Sequence, residues 1–278
     1  MAKNNAVKKI INKLKSRIWF SVYYGIYQKS GINKNLVFLE SRNGSDMAGN
    51  ILYIAQELST NPQYKHLKLC VPAKPFMTEK VKLMLNKYGI KKVKFLREES
   101  LKYYKYLSKA KYLVNDTSFP RRFIKKEGQV ILNTWHGTPL KNMGRDVKNE
   151  VYNMGNVMRN LIFSDYLVFP NEYMKEKMVS AYMLQNLCKA TILNEGYPRN
   201  SVFFNDSRRS ELRKSFNADD KEIIVYMPTW RGQVNKYDVD TVLNETTEFL
   251  AEMDKRLNDN QLMYVKYHPL MKLEFDDN

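Results

Sequence analysis

The sequence contains few residues that cross-link chains or bind metals, and it lacks long apolar runs. Only two of its 278 residues are cysteine, Cys70 and Cys188, and no C-x-x-C spacing occurs. This excludes a disulfide scaffold and a zinc knuckle, and it predicts a reduced, cytoplasmic protein without a metal site. No run of about 18 apolar residues is present, so we expect no segment to cross a bilayer.

Acidic residues are scarce relative to basic ones. The chain has 46 Lys and Arg against 29 Asp and Glu, which gives a formal net charge of +17. Such an excess predicts a polyanionic neighbour, which would be a nucleic acid, an anionic membrane or a phosphate-rich substrate. Nucleic-acid binding is disfavoured, because the clearest basic cluster lies in one amphipathic segment and not in a recognised binding module.

The first predicted domain is a basic segment, residues 1–34, in which no acid occurs. Apolar residues recur at helical spacing from Val7 to Val22, and aromatic residues that include Trp19 cluster near the end. This pattern predicts an amphipathic helix in the interface of an anionic membrane, whose surface would attract the cations. The alternative is a surface helix that packs its apolar stripe on the protein's own core. The cations of the segment include Lys8, Lys9 and Lys13.

From residue 35 onward, short β-rich runs alternate with amphipathic segments, which predicts a doubly wound α/β fold. We expect the first helix after residue 40 to be capped by Ser45 or Asp46. A turn-rich joint at residues 194–200 separates a domain at 35–195 from a second domain at 196–278. No G-x-G-x-x-G pattern occurs, so no dinucleotide cofactor is expected. The predicted strands are Asn35–Glu40, Leu67–Val71, Lys92–Leu96, Tyr112–Asp116, Gln129–Asn133, Tyr166–Pro170, Ala190–Leu193, Glu222–Met227 and Leu262–Tyr267.

A Trp-His-Gly-Thr-Pro turn follows the fifth of these strands. It places His136 at a strand's carboxyl end, where ligands bind in open α/β sheets, and an imidazole there can act as a general base. Gly137 and Thr138 offer backbone donors, and Lys141 can neutralise a phosphate. Asp116 follows the preceding strand and can either orient the ring or compete as the base. A structural turn histidine is the alternative interpretation.

A second set of polar residues follows the last two predicted strands. Thr229 and Arg231 come after one strand, and His268 comes after the other. A guanidinium matches the geometry of a phosphate, and an imidazole beside it can offset charge on a pyrophosphate leaving group. A buried ion pair of Arg231 is the alternative interpretation.

Four segments occur in the chain in this order: Thr134–Lys141, Gly196–Asn200, Pro228–Arg231 and Lys266–Pro269. Together they resemble the CDP-glycerol glycerophosphotransferases of teichoic acid synthesis. The resemblance covers most of the chain from Leu36 onward, and it implies a GT-B fold with two Rossmann-like domains and a cleft between them. It also implies transfer of glycerol phosphate from CDP-glycerol to a lipid-linked, polyprenyl-diphosphate acceptor. The reaction would take place at the cytoplasmic face of the membrane, by a peripheral protein and without a metal or cofactor.

The resemblance assigns roles to individual residues. His136 is implied to be the base on the acceptor hydroxyl. Arg231 and His268 are implied to contact the donor pyrophosphate, with Asn200 and Thr229 nearby.

The sequence departs from the family at its end. The family's second domain continues through an Asp-Tyr-Ser-Ser motif on a later strand, and this chain ends at Asn278 without that motif. We therefore expect an incomplete second domain. Two alternatives stay open, a catalytically inactive membrane-bound fragment and a relative that uses CDP-ribitol. Self-association into a homo-oligomer also stays open.

Overall fold

The computed structural model describes residues 14, 17, 18, 20–147, 154–228, 232–233, 236–237 and 239–267. The chain divides into two compact units, Met1–Ser201 and Val202–Asn278.

The first unit alternates strands and helices as the sequence predicts, and the strand ends differ from the prediction by at most two residues. Its strands are β1 (Asn33–Glu40), β2 (Lys68–Ala73), β3 (Lys94–Arg97), β4 (Ala110–Asn115), β5 (Val130–Asn133), β6 (Tyr166–Val168) and β7 (Thr191–Leu193). Its helices are α1, which includes residues 20–29, α2 (Gly49–Thr60), α3 (Thr78–Lys87), α4 (Leu101–Lys109), α5 (Gly155–Phe163) and α6 (Glu172–Ala181).

The seven strands form one parallel sheet in the order β3-β2-β1-β4-β5-β6-β7. The direction of winding reverses between β1 and β4, and ligands of open α/β sheets bind at the carboxyl ends of the strands beside such a reversal. The predicted α/β class is therefore confirmed for this unit. A ligand is expected in the crevice beyond the carboxyl ends of β1, β4 and β5.

The central strand β1 is buried on both faces, as expected for a parallel sheet covered by helices. Its residues from Leu36 to Leu39 are at most 5% exposed. Val37 and Leu39 belong to one apolar cluster, which includes residues of α2 and α3. Leu36 and Phe38 point to the other face, where they join a cluster that includes α4. Helices on both faces thus fix the position of the strand ends that carry the polar loops.

The predicted cap of the first helix after β1 is wrong. α2 begins at Gly49, and no side chain caps it. The carboxylate of Asp46 instead accepts a hydrogen bond from the backbone N–H of Met47 at 2.8 Å and pairs with Lys80 at 3.3 Å. The residues from Ser45 to Met47 therefore belong to the loop that lies before the helix.

Helix α1 packs one aromatic residue on the protein's own core and leaves several apolar residues exposed. Tyr23 is fully buried, its ring centroid lies 5.1 Å from that of Tyr104, and it packs on the protein's own core. Leu14, Ile18 and Phe20 are 54%, 63% and 46% exposed. Within the described ranges, no helix is both long and apolar enough to cross a membrane. Four residues predicted to contact a membrane lie outside the described residues: Lys8, Lys9, Lys13 and Trp19.

The second unit contains a short parallel strand pair. Its elements are α7 (Asp206–Ser215), β8 (Glu222–Tyr226), β9 (Gly232–Gln233), β10 (Lys236–Tyr237), α8 (Val239–Asp254) and β11 (Gln261–Val265). β8 and β11 pair in parallel, with Tyr226 opposite Val265, and β9 and β10 form an antiparallel pair. The two larger strands were predicted, whereas the two-residue strands β9 and β10 are too short to give a periodic signal.

Candidate active site

The loops after β4 and β5 meet at one edge of the sheet. The two strands are neighbours, with Asn115 opposite Asn133. The backbone N–H of Thr134 donates to the carbonyl of Asn115 at 3.0 Å, and Asn133 Nδ2 donates to the carbonyl of Thr117 at 2.9 Å. These bonds hold the two loops side by side at the carboxyl edge of the sheet.

His136 lies exposed at this edge with one ring nitrogen already engaged. Its Nδ1 lies 2.7 Å from the backbone carbonyl oxygen of Asp116. A carbonyl oxygen only accepts hydrogen bonds, so Nδ1 must carry the hydrogen. In the neutral ring Nε2 then holds the free lone pair and can take a proton. Nδ1 thus orients the ring, and Nε2 is the nitrogen that a general base would use.

Trp135 holds the turn in an unusual backbone conformation. Its φ of 51° lies in the left-handed region, which residues other than glycine adopt rarely and at an energetic cost. The side chain of Asn133 stabilises this conformation by accepting a hydrogen bond from the Trp135 backbone N–H at 2.8 Å. The indole stacks on His136 with ring centroids 4.4 Å apart and meets Tyr182 edge to face at 5.8 Å. Trp135 therefore anchors one side of the imidazole.

The carboxylate of Asp116 is hydrogen-bonded to the loop after β1. It accepts hydrogen bonds from Ser41 Oγ at 3.0 Å and from the backbone N–H of Arg42 at 2.8 Å, and the residue is 2% exposed. Burial raises the pKa of this carboxyl, while the two hydrogen bonds and the nearby His136 lower it in part. The backbone carbonyl of Asp116 thus contacts His136, whereas the carboxylate of Asp116 contacts the loop after β1.

Asn50 and Arg199 complete the surroundings of the turn, and sequence reasoning missed both. Asn50 is 2% exposed; its Nδ2 donates to the carbonyl of Trp135 at 3.3 Å, and its Oδ1 accepts from the Arg199 backbone N–H at 3.3 Å. Arg199 Nη1 donates to the carbonyl of His136 at 2.9 Å, and its guanidinium lies 4.8 Å from the ring centroid of Tyr197. Arg199 belongs to the Gly-Tyr-Pro-Arg-Asn segment, so that motif held the signal that could have identified it.

The other residues predicted to bind substrate near His136 lie close to the turn in sequence or in space. Gly137 and Thr138 follow His136 and are half-buried. Lys141 is exposed and lines a cavity of about 100 Å³ with Pro139 and Tyr173. The backbone N–H of Asn200 donates to the carbonyl of Tyr197 at 2.8 Å, one residue from Arg199.

The predicted donor residues Thr229, Arg231 and His268 lie outside the described residues. The strands that precede them are described, and the chain leaves both at the same sheet edge, at Met227 and Lys266. A metal site of three or more His, Cys, Asp or Glu side chains does not occur among the residues that the structure describes.

The family description "CDP-Glycerol:Poly(glycerophosphate) glycerophosphotransferase" matches residues 22–278. The chain is 29% identical to a teichoic acid poly(glycerol phosphate) polymerase of Bacillus spizizenii, over 95% of this chain and 67% of the relative. It is 26% identical to a teichoic acid glycerol-phosphate transferase of Staphylococcus aureus, over 97% of this chain and 69% of the relative. A teichoic acid poly(glycerol phosphate) polymerase of Bacillus subtilis is 27% identical, over 99% of this chain but only 36% of the relative.

The fold is also similar to a solved structure. A structure of the wall teichoic acid polymerase TagF superposes with a TM-score of 0.70 at 22% identity, covering 100% of this chain and 68% of that protein. At this identity the likeness shows the fold alone. The chain thus shares an α/β fold with about two-thirds of TagF.

Proposed function

The chain belongs to the CDP-glycerol:poly(glycerophosphate) glycerophosphotransferase family, and we propose that it transfers glycerol phosphate from CDP-glycerol to a lipid-linked acceptor. The acceptor would be of the teichoic acid or capsule type, and CMP would be released. The proposal includes a GT-B arrangement in which residues 35–195 form the acceptor-side domain and residues 196–278 form part of the donor-side domain.

The observation that carries the proposal is the orientation of His136. Because Nδ1 contacts the carbonyl of Asp116 at 2.7 Å, Nε2 is the nitrogen that can receive the proton of an acceptor hydroxyl. The hydroxyl oxygen then attacks the phosphorus that bears glycerol, the bond from that phosphorus to the CMP oxygen breaks, and CMP leaves with the electron pair. Proton transfer of this kind typically contributes about 10²- to 10⁴-fold to a rate.

The remaining predicted residues receive roles within this reaction. Arg231 and Thr229 would bind the donor pyrophosphate, and His268 would offset the charge that develops on the leaving phosphate. Gly137, Thr138, Lys141 and Asn200 would bind substrate around the turn. The side chains supply the proton acceptor and the positive charge that the transfer needs, so the proposal contains no metal and no cofactor.

A lipid-linked acceptor requires the enzyme to reach a membrane surface. The net charge of +17 and the exposed Leu14, Ile18 and Phe20 of the basic N-terminal segment support peripheral attachment to an anionic membrane. We place that attachment at the cytoplasmic face and assign it to residues 1–34, which include Lys8, Lys9, Lys13 and Trp19.

The test is to incubate the 278-residue protein with labelled CDP-glycerol and a lipid-linked glycerol phosphate primer, and to measure CMP. Release of CMP that depends on the primer is expected. Absence of release with CDP-glycerol and also with CDP-ribitol, under conditions in which a teichoic acid polymerase releases CMP, would contradict the proposal.

A further inference from the structure

A cavity of about 680 Å³ lies at the sheet edge opposite His136. It is lined by the first residues of three neighbouring strands, Asn33 of β1, Lys68 of β2 and Lys94 of β3, together with residues of α4. His136 follows the carboxyl end of β5, and all these strands are parallel. The cavity is therefore separated from the imidazole by the length of the strands, which for the eight residues of β1 is about 26 Å.

Six lysines and no carboxylate line this cavity, which we name the lysine groove. Among the residues that the structure describes, none of the six takes part in an ion pair. The lysines are Lys68, Lys92, Lys94, Lys102, Lys105 and Lys109.

The requirements of the fold do not account for this concentration of charge. Lys109 lies in the last turn of α4, where a cation stabilises the helix dipole. Lys102 and Lys105, three residues apart on α4, repel each other, and so do Lys105 and Lys109, four residues apart. Lys94 Nζ lies 4.9 Å from the ring centroid of Tyr106, which keeps its charge at the groove. An anion that occupies the groove would remove these repulsions.

The chemistry of the groove selects a flexible ligand with several negative charges. Its cations are all ammonium groups on flexible stems, and none is a guanidinium with the fixed fork that grips one phosphate. We propose that the lysine groove binds a phosphodiester polymer. This identification rests on the proposed function: the polymer is the glycerol phosphate chain of the acceptor, which the groove holds several units behind the reacting end.

A polymer fits the groove better than a membrane does. The apolar side chains in the lining, Leu36 and Leu69, are 5% and 6% exposed. A segment that lies in a membrane interface presents large apolar side chains to the lipid, as Ile18 and Phe20 of α1 could do. The groove is instead concave and carries six lysines, so a chain can enter it and place successive phosphates among the ammonium groups.

The experiment compares two double variants that change the net charge equally. Lys102→Glu with Lys105→Glu reverses two exposed positions of the groove, whereas Lys87→Glu with Lys189→Glu reverses two exposed positions outside its lining. Each full-length protein also carries His136→Ala, so that turnover does not alter the ligand. Binding is measured for a glycerol phosphate oligomer of about 20 units, for glycerol 3-phosphate, and for vesicles of phosphatidylglycerol.

We expect the groove variant to bind the oligomer at least about tenfold more weakly than its parent and the control variant to bind it within about twofold, at low ionic strength. Glycerol 3-phosphate should bind to the groove variant and to the control variant with the same affinity. Equal binding of the oligomer by both variants overturns the proposal, and so does a loss of vesicle binding alone, which would assign the groove to the membrane. Oligomer binding is measured without CMP release. A negative result for the groove can therefore be distinguished from a negative result for the proposed reaction.

Discussion

The backbone carbonyl of Asp116 lies 2.7 Å from Nδ1 of His136, while the carboxylate of the same residue contacts Ser41 and Arg42. The main chain directly after β4 therefore orients the imidazole. The contribution of the Asp116 carboxylate to turnover can therefore be measured separately from that of the His136 imidazole.

Asp116→Asn should lower turnover by less than about tenfold, because the orienting carbonyl remains and the new amide oxygen can still accept from Ser41 or Arg42. His136→Ala removes the proton acceptor and should cost about 10²- to 10⁴-fold. Rates of CMP release under identical conditions compare the two. Equal losses would identify the Asp116 carboxylate as the base and would contradict the assigned geometry.

Asn50→Ala should reduce both stability and turnover. The substitution removes the side-chain partner of the Arg199 N–H and one of two side-chain donors to the carbonyl of Trp135, which also accepts from Thr134 Oγ1 at 2.9 Å. A buried group left without its partner typically costs about 1–3 kcal/mol. The substitution also releases the turn that carries His136. Urea unfolding and CMP release measure the two effects, and Asn86→Ala on the exposed face of α3 is the matched control. Unchanged turnover in a destabilised Asn50→Ala protein would limit Asn50 to a structural role.

Glu40 should make the protein less stable as the pH rises. Burial raises the pKa of its carboxyl from 4.5 to about 8, although the Tyr103 hydroxyl, which donates to Glu40 Oε2 at 2.8 Å, lowers it in part. Between these two pH values the folded chain keeps a proton that the unfolded chain releases. The free energy of unfolding therefore falls as the pH rises through this window, by at most about 1.4 kcal/mol per pH unit.

Glu40→Gln cannot ionise, and its amide oxygen can still accept from Tyr103. Urea unfolding at pH 5.5 and pH 8 should show a smaller loss of stability for this variant than for the unmodified protein. Glu79→Gln is the control, because the Glu79 side chain is 85% exposed. A pH dependence that is the same in Glu40→Gln and in the unmodified protein would show that Glu40 is ionised in the folded state.

Local patterns in the sequence predicted the alternating elements and the strand that the Trp-His-Gly-Thr-Pro turn follows. The ends of the strands in the first unit were predicted to within two residues. These features depend on residues that are close in sequence or on neighbouring strands. The choice between Ser45 and Asp46 as a cap failed because side chains of α3 compete for the same loop, as the Lys80–Asp46 pair shows.

The orientation of His136 could not be predicted in the same way. It depends on the left-handed backbone of Trp135 and on Asn50, which bonds to Arg199 across 149 residues of sequence. No periodicity or short motif records a contact of that range. The sequence thus indicated which residue could act as the base, and the three-dimensional contacts indicate which of its nitrogens is available.

The most direct test of the proposed mechanism is a comparison of the unmodified protein with His136→Ala in two assays on the same preparations, CMP release with primer and calorimetric binding of CDP-glycerol. The predicted result is a fall in CMP release of about 10²- to 10⁴-fold with the dissociation constant of CDP-glycerol within about twofold. CMP release within about tenfold of the unmodified protein would contradict the assignment of His136 as the general base.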